Sequence, residues 1–351
     1  MSRIVILAEQ SLRPHVPKTA IGVLRYRTDE VVAVVDSSRA GEDAGEALEL
    51  DFGRRIPVVA NIGEALQWQP DTALVGVAPA GDGLDPLWRS CVRDAVEAGL
   101  DVVSGLHHML SEDEELGALA KLRGVTLHDV RKAPATGRIA GYERHRPGSR
   151  VVLTVGTDGF AGKMTTSLEL HAETRRRGLD SSFLATGQTG IMISGDGLPA
   201  DHIISDFLPG LVERHVLDHA ARHDWVFVEG QGSLNHPAYS AVTLGLLHGA
   251  LPDAMILCHQ SGATSVNGIP HCPLPSLTDA VRMNETAANW LHPRGTSKVV
   301  GIALATWRLT EAEARQAVRD AESETGLPAT DPWRLGVGPL VDALSAVPPA
   351  A

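Results

Sequence analysis

The run Val151-Val152-Leu153-Thr154-Val155-Gly156-Thr157-Asp158-Gly159-Phe160-Ala161-Gly162-Lys163-Met164-Thr165-Thr166 decides how the second part of this chain folds. Apolar β-formers lead into a glycine-rich turn, and Gly-Lys then opens a stretch of helical spacing. Met164, Leu168 and Ala172 share the predicted apolar face, and Gly178 is the predicted stop. Gly156, Gly159 and Gly162 let backbone N–H groups curl round an anion, and the positive end of the helix points at the same place. Lys163 brings a full charge to terminal phosphates, and Thr165 or Thr166 offers a hydroxyl for Mg²⁺. The predicted phosphate set is therefore Gly156, Thr157, Gly159, Gly162, Lys163, Thr165 and Thr166. The spacing is one residue longer than the standard P-loop, and Met164 stands where Ser or Thr is usual.

Two further loops belong with this one. In Asp224-Trp225-Val226-Phe227-Val228-Glu229-Gly230-Gln231-Gly232 an apolar strand ends in a carboxylate followed by Gly-x-Gly. A carboxylate there can hold Mg²⁺, directly or through water, or act as a base. Ala185-Thr186-Gly187-Gln188-Thr189-Gly190 follows another predicted strand. Its hydroxyls and amide suit the orientation of a small polar substrate. Cys258-His259 and His271-Cys272 lack zinc spacing, and neighbouring strand residues point to opposite faces, so we read no metal site there.

Working outward, predicted strands at 151–155, 182–185, 225–229, 254–258 and 299–303, with a helix at 310–324, make an α/β domain. The earlier part repeats the same alternation, with strands at 3–7, 30–35, 56–60, 72–77, 101–104 and 125–128 and helices at 85–98 and 112–123. Near-continuous apolar strands separated by helices imply parallel sheets covered on both faces. Small or polar residues at strand ends, Asp36 to Gly41, Gly76 to Gly81 and Ser104 to His108, are the expected ligand loops. Residues 131–149 are rich in Pro, Gly and Arg and read as a linker. The predicted fold class is α/β in two domains: a Rossmann-like parallel sheet at 1–130 and a P-loop NTPase-like parallel sheet at 150–351.

A length of 351 residues fits two domains. A net charge of −12 argues against binding a nucleic-acid backbone, which selects Lys/Arg-rich surfaces. No apolar stretch reaches the roughly 18 residues of a membrane span. The opening apolar run is broken at once by Glu9 and Gln10 and reads as a strand, not a signal peptide. Three scattered cysteines, Cys91, Cys258 and Cys272, form no disulfide framework. We expect a cytoplasmic protein acting on a small molecule, without nucleic-acid or membrane partners, and assembled as a homo-oligomer.

The phosphate loop together with Val228-Glu229-Gly230-Gln231-Gly232 resembles the corresponding loops of dethiobiotin synthetases, which are ATP- and Mg²⁺-dependent carboxylate-activating enzymes. A wider resemblance runs through nearly the whole chain. Lys18 to Gly22, Asp36 to Gly41, Gly76 to Pro79, Val103 to His107, Thr186 to Gly190, and Glu229 through His236 to Ser240 are similar, in order, to the bacterial D-glutamate N-acetyltransferase family. That resemblance implies acetyl transfer from acetyl-CoA to the amino group of a D-amino acid. The run from Asp71 to Leu106 is also similar in layout to the CoA-binding domain of succinyl-CoA synthetases.

Such a reaction needs a base for the acceptor ammonium and donors for an oxyanion. The expected catalytic residues are Glu229 or Asp158 as base, with Lys163 at the donor. The expected substrate contacts are Thr186, Gln188, Thr189, Gln231 and His236. The expected co-substrate is acetyl-CoA. The alternative is ATP with Mg²⁺, in which case Thr165 and Glu229 would be the metal ligands. Two departures weigh against ATP: Met164, and Ala305 where related P-loop enzymes place an adenine-reading Asn. A nucleotide sensor without turnover would need the same phosphate cradle.

Overall fold

The computed structural model describes residues 2–78, 83–135, 137–290 and 297–348. The chain forms two compact units, Met1–Lys132 with Gln188–Gly195, and Ala133–Gly187 with Asp196–Ala351.

The first unit is built on β1 (Ile4–Leu7), β2 (Val31–Val35), β3 (Val58–Val59), β4 (Thr72–Val75), β5 (Asp101–Ser104) and β6 (Leu127–Asp129). All pair in parallel, in the order β3-β2-β1-β4-β5-β6. This is the Rossmann arrangement. The strands β1 and β2 are buried throughout, which is why they read as unbroken apolar runs rather than alternating ones. The helix Pro86–Glu97 begins where predicted, with Asp85 capping Leu87 N–H and Pro86 needing no hydrogen-bond partner. The strand expected at 56–60 contracts to two residues, because Asp43 draws its start aside by accepting from Ile56 N–H at 2.7 Å.

The second unit carries β7 (Arg150–Gly156), β8 (Ser181–Leu184), β9 (Trp225–Val228), β10 (Ala254–Gln260), a hairpin of β11 (Ser265–Val266) and β12 (Ile269–Pro273), then β13 (Lys298–Ala305) and β14 (Ala329–Thr330). Its parallel sheet runs β14-β13-β10-β7-β9-β8. The phosphate-loop strand is thus central, flanked by β9 and β10, and Val151, Val152, Leu153 and Val155 are at most 1% exposed. Burying each such side chain is worth about 1.5–3 kcal/mol relative to exposure. The register pairs Gly156 with Cys258 and Leu153 with Val228. Thr157, His259 and Glu229 therefore leave the sheet at one edge. The helix Glu311–Thr325 is fixed by a Thr310/Glu313 capping box and ended by Gly326 at φ 69°.

The linker stretch lies along the second unit from Ala133 onward. Gly141 and Glu143 N–H groups each donate to the buried Glu213 carboxylate at 2.8 Å, and Arg146 Nε donates to Ala220 O at 2.7 Å.

One sequence reading is corrected here. In the helix Lys163–Arg176, Leu168 is buried as predicted, but Met164 is only half-buried and Ala172 exposed, and the buried positions also include Lys163, Thr166, Ser167, Leu170 and Thr174. Beside Leu168 and Leu170, its buried face carries hydroxyls. Ser167 Oγ bonds Thr154 Oγ1 at 2.9 Å, and Thr174 Oγ1 donates to Leu170 O at 2.7 Å. Hydropathy spacing alone cannot see a polar buried face whose hydroxyls are satisfied internally.

Candidate functional site

The phosphate loop begins where β7 ends. Thr157 N–H donates to Cys258 O at 3.1 Å, and its hydroxyl meets His259 Nδ1 at 2.9 Å. Asp158 holds the next turn: Oδ1 accepts from Gly159 N–H at 2.7 Å and Oδ2 from Asn267 N–H at 3.2 Å, at the hairpin tip. Gly162 sits at φ 92°, a left-handed conformation that glycine adopts without strain, and starts the helix. A Cβ on Gly156 would lie 3.1 Å from Lys163 Nζ and 3.2 Å from Asp158 O, so a side chain there would press on the closed loop. The opening N–H groups of the helix have no intrahelical acceptor and form the anion-binding end.

Lys163 is 4% exposed, and its Nζ donates to Asp158 O at 2.7 Å. Burial lowers the pKa of this ammonium to about 8, although Cys258, Asp158 and Glu229 favour its charge. Of the two threonines proposed for Mg²⁺, Thr166 is committed: its hydroxyl donates to Gly162 O at 3.0 Å and receives Cys258 Sγ at 3.4 Å. Thr165 is half-buried and remains the hydroxyl available at the loop. The oxygen donors that would fit Mg²⁺ are thus Thr165 and one oxygen of Glu229. Cys258 itself is fully buried, with its thiol raised to about 11 by burial, as befits a core residue.

Glu229 follows β9, beside β7. Its Oε2 accepts from Thr186 N–H at 3.0 Å and Gly187 N–H at 3.2 Å, while Oε1 accepts from no described residue. Burial raises its carboxyl to about 7, against the two N–H bonds and Lys163, which favour the ionised form. Thr186 Oγ1 donates to Glu229 O at 2.7 Å, and Gln231 Nε2 donates to Thr186 O. The turn is forced by Gly230, where a Cβ would fall 1.7 Å from Thr154 O. His236, 5% exposed, stacks on Tyr239 at 4.3 Å between centroids.

The predicted residues thus separate into two groups. Asp158, Lys163, Thr186, Glu229, Gln231 and His236 lie in the second unit. Gln188 and Thr189 belong to the first, in the helix Gln188–Ser194. There Gln188 Nε2 donates to Thr19 Oγ1 at 3.0 Å, and Thr189 Oγ1 lies 2.9 Å from the same atom. Gly105 makes room for Gln188, since a Cβ would meet Oε1 at 1.7 Å. Of the loop Gly76 to Gly81, Pro79, Ala80 and Gly81 lie outside the described residues.

Sequence reasoning missed the hairpin and His259. The hairpin had a signal in Val266-Asn267-Gly268-Ile269, an Asn-Gly pair between apolar residues. His259 had none, because its bond to Thr157 depends on the β7–β10 register.

With this geometry in view, the comparisons with known proteins are direct. Residues 37–133 match the DUF1611 N-terminal Rossmann-like domain, and residues 135–341 match the DUF1611 C-terminal P-loop domain. The chain belongs to the DUF1611 family. A relative from Tritonibacter scottomollicae named D-glutamate N-acetyltransferase is 40% identical over 94% of this chain and 94% of its own length. One of the same name from a Pseudoalteromonas species is 38% identical over 80% of this chain and 83% of its own. The crystal structure of a DUF1611 family protein from Anabaena variabilis has a TM-score of 0.93 and 40% identity, over 98% of this chain and 99% of that one.

Proposed function

We propose that this DUF1611 member is an acetyl-CoA-dependent N-acetyltransferase acting on an acidic D-amino acid such as D-glutamate. The observation that carries the reading is Glu229: a buried carboxyl with pKa about 7, one oxygen fixed by two N–H groups and the other unengaged. A base is most effective when its pKa lies near the working pH. The names of the two relatives support the same chemistry and supply the acceptor.

Glu229 Oε1 takes a proton from the acceptor ammonium, and the amine nitrogen then bonds to the thioester carbonyl carbon. The carbonyl oxygen becomes an oxyanion until the C–S bond breaks. The nitrogen loses a second proton. One of the two protons ends on the CoA sulfur and the other in solvent. Lys163 and the helix N-terminus would hold CoA phosphates, with Lys163 exchanging Asp158 O for a phosphate oxygen. Both Asp158 carboxylate oxygens are engaged, so it serves as the brace of the loop, and Glu229 is the base. Thr186 bonds this base, Gln231 bonds Thr186, and His236 follows on the same loop. ATP and Mg²⁺ are the alternative, favoured by the P-loop itself and disfavoured by Met164 and Ala305.

The test is thiol release from acetyl-CoA with a panel of D- and L-amino acids, with and without ATP and Mg²⁺. Amino-acid-dependent CoA release without ATP is the expected result. Nucleotide consumption with no thiol release would overturn it.

A further inference from the structure

The loop from Glu229 to the helix Ser240–Ala250 carries more polar atoms than its own fold uses. Ser233 is fully buried, and its hydroxyl has no partner among the described residues. The side-chain nitrogen of Asn235 is also buried and unpartnered. Buried polar groups in native folds are paired, so these two mark a loop whose polar atoms its own fold does not fully satisfy. His236 lies on the same loop and is nine-tenths buried. Its Nδ1 is 3.1 Å from Ala238 N and accepts that N–H. The lone pair on Nδ1 is therefore used, and the proton of the neutral ring sits on Nε2. Nε2 itself bonds to no described residue. Tyr239 fixes the ring plane by stacking at 25°. Tyr239 in turn lies at the phosphate loop, its Cδ2 3.9 Å from the Cβ position of Gly159.

We propose that this loop binds an anionic oxygen, with His236 Nε2–H as a fixed hydrogen-bond donor rather than a base. The assignment deepens the acetyl-transfer reading and rests on it. In that reaction the anionic oxygens are a carboxylate of the acceptor and the oxyanion on the acetyl carbon. His236 would then complement Glu229: one group removes the proton, and the other receives negative charge.

Two measurements test this. The first needs no turnover: long-range proton–nitrogen NMR on isotope-labelled histidine, with and without D-glutamate or succinate. The expected spectrum shows the Nε2–H tautomer for His236, with its Nε2–H resonance moving when the dicarboxylate is added. The Nδ1–H tautomer would overturn the proposal, and an unmoved Nε2–H resonance would exclude the acceptor carboxylate as the anion. The second is kinetic. His236→Gln keeps an N–H near the Nε2 position and is expected to stay within about tenfold of the parent, whereas His236→Asn should lose roughly 10²–10³ in kcat/KM. A loss confined to kcat identifies the oxyanion, and one confined to the acceptor KM identifies its carboxylate. Equal loss in both folded variants, with removal of a titrating limb from the pH profile, would make His236 a base and sink the idea. A parent protein that releases no CoA would refute the acetyl-transfer reading, and the NMR result would still decide what His236 does.

Discussion

Asp36 and Glu229 occupy equivalent places in their two units, each the buried carboxylate that follows a parallel strand, and the protein uses them in opposite ways. Asp36 is fully buried, and both its oxygens are spent on the chain: Oδ2 accepts from Ser11 and Leu12 N–H at 3.1 and 2.8 Å, Oδ1 from Ser38 N–H and Oγ at 2.9 and 2.6 Å. Nearby Glu9 is likewise committed to Ser37. Glu229 is nearly as buried, yet Oε1 is unengaged, and its carboxyl is held at about 7 by burial. A carboxylate surrounded by donors becomes a structural brace. One given too few donors stays reactive.

Breaking the reactive member should have the largest effect. Glu229→Gln is expected to cut turnover by about 10²–10⁴. It should also raise Tm at pH 8. The raised carboxyl means that ionising Glu229 opposes folding, a cost that grows from the ordinary value near 4.5 up to about 7 and is constant above it. The neutral amide avoids that cost. A variant that keeps full turnover, or melts lower at pH 8, would contradict this account of the site.

The glycines sharpen the contrast on the packing side. Gly230→Ala brings Cβ against a backbone oxygen at 1.7 Å, so the second unit should fail to fold or lose several kcal/mol, the cost expected of overpacking that cannot relax. Gly76→Ala in the first unit meets Ile6 Cγ2 at 2.5 Å and Ala20 Cβ and Leu7 O at 3.0 Å, a tight fit but without so short a backbone contact. Its cost should be about 1–3 kcal/mol. Comparing urea midpoints for the two variants checks the ordering.

For the brace, Asp36→Ala strands three backbone N–H groups, of which only the Leu12 bond is buried, and should cost about 1–3 kcal/mol of stability, the worth of one unsatisfied buried donor. The catalytic rate of the protein that remains folded should be unchanged. A selective loss of kcat would mean that Asp36 does chemistry after all.

The smallest effect concerns the end of the second sheet away from the site. His171 Nδ1 meets Ser181 Oγ at 2.9 Å, and His219 Nδ1 meets Ser182 Oγ at 3.1 Å. Burial lowers both imidazoles below 6.5. Charging them is resisted in the folded state, so stability should fall as pH drops below 6.5. His171→Gln/His219→Gln should flatten that slope by a few degrees of Tm between pH 6.5 and 5, roughly the shift that 1 kcal/mol makes in a unit of this size. An unchanged slope would show that the carboxylates alone set acid sensitivity.

Much of this was legible in the residues. Buried parallel strands such as Val31–Val35 announce themselves by unbroken β-branched runs. Gly-Lys after such a run marked the phosphate loop. Glu229 was legible because a carboxylate followed by Gly-x-Gly ends an apolar strand in the same domain as the phosphate loop. Other features were hidden for identifiable reasons. The helix Lys163–Arg176 buries Thr166, Ser167 and Thr174 beside Leu168 and Leu170, so its buried face carries only a weak hydropathy signal. The stretch Thr186 to Gly190 reads as one substrate loop, yet its residues divide between the two units at Gly187 and Gln188. Local spacing carries no mark of that division.

The sequence by itself determined the class of fold, the order of strands along the chain, the phosphate loop and the family, because each rests on local periodicity or on glycines and charges at fixed spacing. Only the tertiary structure decided which carboxylate keeps an oxygen without a partner among the described residues, which threonine is spent and which nitrogen of His236 accepts a backbone N–H. The first depends on hydrogen bonds from Glu229 to Thr186 and Gly187, far apart in the chain, and the other two on local turns whose geometry the fold fixes, neither of which residue identity alone encodes.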